Sequence, residues 1–70
     1  MANRVAEVNK ALKARGVAEK LTRGNGYYYF RDGNTGYWPA TSVYVYRADD
    51  LSVHEWVAER DQLAADSRRA

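Results

Sequence analysis

The sequence predicts an α+β fold: one small domain in the order αβββα, with a helix, a three-stranded antiparallel sheet and a second helix, both helices lying on one face of the sheet. Three observations support this prediction. Apolar residues recur at helical spacing near both ends of the chain, runs of alternating side chains occupy its middle, and an Asn-Gly dipeptide separates two of those runs. A chain of 70 residues has room for one hydrophobic core, so we expect a single domain over 1–70.

The first helix is predicted over 3–15. Its apolar stripe follows the spacing i, i+3, i+7 and consists of Val5, Val8 and Leu12. Asn3 suits the N-cap, because its side-chain oxygen can accept a hydrogen bond from a free backbone N–H of the first turn. Gly16 can adopt the left-handed conformation that ends many helices.

Three strands are predicted over 17–23, 27–31 and 42–47. Asn25-Gly26, between the first two, favours a two-residue type I′ turn, in which both central residues need a positive φ. Such a turn fixes the register and divides the side chains between two faces, whereas a three-residue turn would shift this register. The inner face receives Leu21, Tyr28 and Phe30. The outer face receives Lys20, Thr22, Tyr27, Tyr29 and Arg31.

Valines and tyrosines alternate in the predicted third strand, as Val43-Tyr44-Val45-Tyr46. Alternation places the valines on the core face and the tyrosines on the other, or the reverse. With the valines inward, four tyrosines share the open outer face: Tyr27, Tyr29, Tyr44 and Tyr46. Trp38, in the loop before this strand, can serve either the core or a partner.

The sequence predicts a second helix over 53–65 and a frayed tail over 66–70. Ser52 and Glu55 have the spacing of a capping box, in which each side chain accepts a hydrogen bond from the backbone N–H of the other residue. Leu51 and Trp56 are placed to pack together as a hydrophobic staple across the start of the helix.

Composition excludes several kinds of site. The chain has no cysteine and one histidine, His54, so no disulfide and none of the usual zinc sites can form, and no metal or cofactor is predicted. No acid, base and nucleophile stand in a catalytic pattern, so we do not expect an enzyme. The N-terminal segment carries charges every few residues and lacks the apolar stretch of a signal peptide or membrane span, so we expect a location in the cytoplasm.

The aromatic residues indicate a binding surface, since the chain has six tyrosines, two tryptophans and one phenylalanine. Tyrosine and arginine are enriched at interface hot spots, so we predict contact with a protein partner or a second copy of this chain. The predicted contact residues are Tyr27, Tyr29, Tyr44, Tyr46, Arg31, Tyr37 and Trp38. Two alternatives stand beside this one. The same four outer-face tyrosines would stack the bases of a nucleic acid, or they are only good strand formers. In the first case the phosphates would be held by Lys20, Arg23, Arg31 and Arg47.

The order helix, three strands, helix is similar to that of double-stranded RNA-binding domains. That family has a lysine cluster at the start of its last helix, and this sequence has Asp49, Asp50 and Glu55 there. Binding to duplex RNA is therefore not expected.

A second resemblance covers residues 8–60 and rests on aromatic and turn residues. They are the runs 23–30 (RGNGYYYF) and 41–45 (TSVYV), Trp38, Leu51-Ser52 and Glu55-Trp56. In this pattern the chain resembles a family of short uncharacterised proteins carried by phages, prophages and plasmids. The resemblance implies an accessory protein of a mobile element, and such a protein would bind a host or viral macromolecule. It implies no catalytic residue.

Overall fold

The computed structural model describes residues 3–67 and confirms the α+β fold. The helices are α1 (Arg4–Ala14) and α2 (Val53–Ser67). The strands are β1 (Lys20–Arg23), β2 (Tyr28–Arg31) and β3 (Ser42–Val43), which form one antiparallel sheet in the order β1-β2-β3. Two short 3-10 turns, Thr35–Tyr37 and Ala48–Asp50, lie on either side of β3 in the chain.

Both ends of α1 have the capping chemistry expected from the sequence. The side chain of Asn3 accepts hydrogen bonds from the backbone N–H groups of Val5 (3.0 Å) and Ala6 (3.4 Å). Gly16 has a φ of +74°, and the N–H of Val17 donates to the carbonyl of Leu12 at 3.0 Å. This is a Schellman ending. Val17 therefore takes part in the ending of α1 and not in a strand. Strand β1 begins at Lys20 and is shorter than the predicted strand over 17–23.

The predicted register of the hairpin is confirmed, but the predicted turn type is wrong. Leu21 lies opposite Phe30, and the other pairs of β1 and β2 follow in step. Gly26 has a φ of +83°, whereas Asn25 is outside the left-handed region, as in a type II turn and not the type I′ turn. The N–H of Gly24 donates to the carbonyl of Tyr27 at 2.8 Å, so the two strands still meet across a two-residue turn.

Strand β3 ends at Val43, four residues before the predicted strand over 42–47 ends. The cause is a tight turn centred on Tyr44, in which the N–H of Val45 donates to the carbonyl of Val43 at 3.1 Å. A bond of this kind bends the backbone away from β2. The simple alternation of side chains therefore does not continue to Tyr46.

Helix α2 begins with the predicted capping box. The N–H of Glu55 donates to Oγ of Ser52 at 3.1 Å, and the N–H of Ser52 donates to Oε1 of Glu55 at 2.9 Å. The helix continues to Ser67, so the first two residues of the predicted frayed tail are helical. The rest of that tail, 68–70, lies outside the described residues.

The core lies between the two helices and the inner face of the sheet. It consists of Val8, Leu12, Leu21, Tyr28, Phe30, Trp38 and Trp56. Trp56 is at its centre, with its ring 5.5 Å from that of Tyr28 and 6.5 Å from that of Phe30. Its indole N–H donates to the carbonyl of Ala48 (2.8 Å), whose own N–H donates to the hydroxyl of Tyr28 (3.1 Å). Both helices thus cover the same face and leave the other face open.

The outer edge of β1 is covered by a side chain of α1. Asn9 accepts a hydrogen bond from the N–H of Leu21 (2.6 Å) and donates one to the carbonyl of Leu21 (3.1 Å). The amide group therefore takes the place of a neighbouring strand at this edge. No helix within residues 3–67 is both long and apolar enough to cross a membrane.

Candidate interaction surface

Three tyrosine rings meet on the open face of the sheet, and we call Tyr27, Tyr29 and Tyr44 the tyrosine cluster. The ring of Tyr27 is central. Its centroid lies 5.9 Å from that of Tyr29 and 5.9 Å from that of Tyr44, with an angle of 39° between the planes in each pair. These distances are typical of interacting aromatic pairs. The outer face therefore carries one continuous aromatic patch.

Each ring of the cluster is placed by a different part of the backbone. Tyr29 is in β2, opposite Thr22 of β1 and Ser42 of β3, so its direction follows from the pleat of the sheet. Tyr27 is the last residue of the hairpin turn, and Tyr44 is the centre of the turn that ends β3.

The ring of Tyr27 lies against the backbone of Gly24. A Cβ atom at that glycine would lie 2.6 Å from Cζ of Tyr27 and under 3.0 Å from two further ring carbons. A side chain at position 24 would therefore displace the Tyr27 ring from this place. The absence of a side chain at Gly24 leaves room for the Tyr27 ring beside the rings of Tyr29 and Tyr44.

Exposure differs within the cluster. Tyr44 is 83% exposed, whereas Tyr27 and Tyr29 are half-buried. Tyr27 packs against the exposed ring of Tyr44, and Tyr29 packs against this pair through Tyr27 alone. The tyrosine cluster thus presents one highly exposed ring beside two half-buried ones.

A fixed positive charge lies beside the cluster. Nε of Arg31 donates to Oγ1 of Thr22 at 2.8 Å, and its Nη1 lies 3.6 Å from Oδ2 of Asp32. The guanidinium group is thus held on the outer face, on the same side of β2 as Tyr29. The side chain of its ion-pair partner, Asp32, is 50% exposed to solvent. This arrangement agrees with the placement of Arg31 expected from the sequence.

The other predicted contact residues lie elsewhere. Tyr37 is 83% exposed, at the end of a short 3-10 turn. Tyr46 is 88% exposed and lies next to a cleft with Arg23 and Arg47, since the turn at Tyr44 directs the chain away from the outer face. Trp38 is 8% exposed and packs against Phe30, so it belongs to the core.

A groove of about 650 Å³ lies between α1 and α2. Small apolar residues such as Ala11 and Val57 line it, together with His54 and the ion pair of Arg15 and Asp61. Within residues 3–67 there is no group of three or more histidine, cysteine or acidic side chains that would hold a metal ion.

Arg60 and Asp61, which are adjacent in α2, have pKa values shifted by their hydrogen bonds. Burial by itself would lower the pKa of Arg60, but its hydrogen bonds to Glu19 and Asp61 raise that pKa. Burial by itself would raise the pKa of Asp61, but hydrogen bonds from Arg60 and Arg15 outweigh burial and lower it. Both groups are therefore held in their charged forms.

Sequence reasoning missed the buried carboxylate of Glu19, which is 3% exposed and pairs with Arg60. Alternation in the predicted strand over 17–23 puts Glu19 on the same face as Leu21, but an acidic residue type gave no reason to expect burial there. Comparison with known proteins adds nothing to this geometry: no protein-family model, no curated protein and no solved structure matches the chain.

Proposed function

We propose that this chain is a non-enzymatic interaction module that binds a protein partner through the tyrosine cluster. The observation that carries the proposal is the contact of Tyr27 with both Tyr29 and Tyr44 on a face that neither helix covers. Tyrosine is common at interface hot spots because it offers a large rigid ring and one hydroxyl at a low cost in conformational entropy.

The cluster is not needed to complete the core. The core aromatic residues, Tyr28, Phe30, Trp38 and Trp56, all lie on the inner side of the sheet. A residue that served only as a strand former would have no reason to stand 83% exposed outside the strand, as Tyr44 does. Its exposure favours a binding role over a purely structural one.

A protein partner suits this face better than a nucleic acid does. Stacking of successive bases uses accessible ring faces and free cations. Two of the three rings are half-buried, and Arg31 is already engaged by Thr22 and Asp32. The tyrosine cluster and Arg31 offer ring edges, hydroxyl groups and one fixed charge. Protein interfaces commonly use groups of these kinds.

The biological setting that we propose is that of an accessory protein of a phage or other mobile element, acting in the cytoplasm of the host. The partner is then a host or viral protein, or a second copy of this chain. The resemblance of residues 8–60 to short phage and plasmid proteins supports this setting.

The experiment places a photo-crosslinking amino acid at Tyr44 and, as a matched control, at Tyr37, which is equally exposed but outside the cluster. Irradiation in the host, followed by mass determination, should give one defined adduct from position 44 and none from position 37. Light scattering over a range of concentrations shows whether the adduct partner is a second copy.

A second variant, Tyr29→Ser, tests whether the adduct depends on the cluster. It removes one half-buried ring of the cluster and leaves the inner core untouched. The adduct at position 44 should then disappear while the chain remains folded by circular dichroism. Equal adducts from positions 44 and 37, or an adduct that persists in the Tyr29→Ser background, would overturn the proposal.

A further inference from the structure

A cleft of about 300 Å³ opens at the hairpin end of the sheet, on the side away from the tyrosine cluster. Its charged lining consists of three arginines and one aspartate, namely Arg4, Arg23, Arg47 and Asp49. Tyr46, which is 88% exposed, lies at the same cleft. The lining thus combines a net positive charge with an accessible aromatic ring.

Two of these arginines differ from the other arginines of residues 3–67. Arg4, Arg15, Arg31 and Arg60 each have a carboxylate oxygen within 4.0 Å. Within the same part of the chain, Arg23 and Arg47 form no salt bridge, and both lie at the cleft. The two arginines of residues 3–67 that form no salt bridge therefore both line this one cleft.

The acidic groups close to the cleft contact Arg4 or the backbone, and none forms a salt bridge with Arg23 or Arg47. Oδ1 of Asp49 and Oε1 of Glu7 lie 3.8 and 3.7 Å from Nε of Arg4, whose Nη1 donates to the carbonyl of Leu51 at 2.7 Å. Oδ2 of Asp50 accepts a hydrogen bond from the backbone N–H of Arg47 at 3.1 Å. These contacts leave the guanidinium groups of Arg23 and Arg47 to an external anion.

We propose that the cleft binds single-stranded nucleic acid, with one backbone phosphate held by Arg23 and Arg47 and the neighbouring base stacked on Tyr46. A planar guanidinium group can donate two parallel hydrogen bonds to phosphate oxygens. An exposed tyrosine ring can stack on any base, because each base presents a π-face. Each nucleotide carries a phosphate close to a base. The cleft likewise has arginine cations and a tyrosine ring in its lining.

The ring of Tyr46 also decides between the anions that arginine accepts. An acidic peptide would use the two guanidinium groups and would leave the ring without a flat partner. A duplex keeps its base faces inside the stack, so only an unpaired strand can offer one to this tyrosine. This site is separate from the tyrosine cluster, and its partner is independent of the partner proposed for that cluster.

The experiment measures the binding of a fluorescently labelled 20-nucleotide oligothymidine by anisotropy at several salt concentrations. Neutralisation of one phosphate predicts a slope of log K against log salt of roughly −0.7 on a single strand. The variant Arg23→Gln/Arg47→Gln should bind at least about tenfold more weakly, with a slope near zero. The matched control Lys10→Gln/Lys13→Gln removes the same charge from exposed positions of α1 and should bind within about twofold of the unchanged chain.

Two further measurements separate the ligand classes and the two proposals. Tyr46→Leu should weaken binding and abolish quenching of tyrosine fluorescence by the oligonucleotide, whereas Tyr29→Ser should bind unchanged. Oligoglutamate and a 20-base-pair duplex should compete poorly. The proposal is overturned if no binding occurs at low salt, if the arginine and lysine variants lose equal affinity, or if oligoglutamate competes as well as oligothymidine.

Discussion

The carboxylate of Glu19 and the guanidinium group of Arg60 form an ion pair in the interior of the domain, with Oε1 of Glu19 2.6 Å from Nη2 and 3.0 Å from Nε of Arg60. Oε2 of Glu19 accepts a hydrogen bond from the N–H of Asn34 at 3.0 Å. Cζ of Arg60 lies 5.9 Å from the centre of the Trp38 ring. One carboxylate thus joins α2 to the segment before β1 and to the loop after β2.

Replacement of Arg60 by methionine should strongly destabilise the domain. It would leave the carboxylate of Glu19, 3% exposed, without its cation, and breaking a buried pair in this way costs about 3–5 kcal/mol. A cysteine-free domain of this size is stabilised by only about 3–5 kcal/mol, so Arg60→Met should be largely unfolded at room temperature by circular dichroism.

Arg15→Met is the matched control, since it breaks the more exposed pair with Asp61 and should cost less than about 1 kcal/mol. The double variant Glu19→Met/Arg60→Met should regain a cooperative unfolding transition, because it removes both charges together. Equal stabilities of Arg60→Met and Arg15→Met would contradict this role of the pair.

Gly33→Ala should also destabilise the domain, because Gly33 lies against the carboxylate of Glu19. Gly33 has a φ of +56°, and a Cβ atom there would overlap the carboxylate of Glu19. A left-handed conformation costs a non-glycine residue roughly 1–2 kcal/mol, and the displaced carboxylate adds to this loss. Urea unfolding should therefore give a loss of more than about 2 kcal/mol.

Gly36→Ala is the control for this substitution, because Gly36 has an ordinary φ and open space at its Cβ position. Its free energy of unfolding should change by less than about 1 kcal/mol. A loss at Gly36 as large as that at Gly33 would show that the loop tolerates no side chain anywhere, and the argument from Glu19 would fail.

Asn9→Ala should both destabilise the domain and promote its association. The N–H and carbonyl of Leu21 would lose their partners at the edge of β1, at a cost of about 1–3 kcal/mol. The uncovered edge could then pair with another strand. Urea unfolding and light scattering should show both effects, whereas Lys10→Ala, at the next and exposed position, should show neither. Unchanged scattering and stability in Asn9→Ala would rule out edge protection by this residue.

The features that the sequence predicted correctly depend on local chemistry. Asn3, Gly16 and the pair of Ser52 and Glu55 act within one helical turn, and their residue types identify them. The register that places Leu21 opposite Phe30 follows from the length of the turn alone, which is why it survived a wrong turn type.

The features that the sequence did not predict depend on distant contacts or on backbone geometry. Glu19 and Arg60 are 41 residues apart, and the residues around each of them do not predict that the two would pair. The bend at Tyr44 interrupts a strand pattern that local propensity favours, and it moves Tyr46 from the predicted outer face to the cleft with Arg23. The sequence therefore predicted a group of tyrosines on the outer face, but only three of the four lie together, namely Tyr27, Tyr29 and Tyr44.

The stability of the domain should fall in acid because of two carboxylates of α2. Hydrogen bonds from the backbone and then the side chain of Ser52 lower the pKa of Glu55 below its ordinary value of 4.5. Asp61 likewise has its pKa lowered, from 3.8, by hydrogen bonds from Arg60 and Arg15 that outweigh its burial. A carboxylate with a lower pKa in the folded chain than in the unfolded chain stabilises the fold fully above the unfolded value. That contribution is lost as the pH falls through the folded value.

The midpoint of urea unfolding should therefore decline as the pH is lowered below about 4.5, the range in which the unfolded carboxylates begin to bind protons. Glu55→Gln should be less stable than the unchanged chain at neutral pH and should show a shallower decline in acid. Asp61→Asn should behave in the same way, and the double variant should be the least dependent on pH, because the two groups are on different turns of α2 and act separately. Curves for Glu55→Gln and the unchanged chain that stay parallel throughout the acid range would show that the Ser52 capping box does not stabilise the charged form of Glu55.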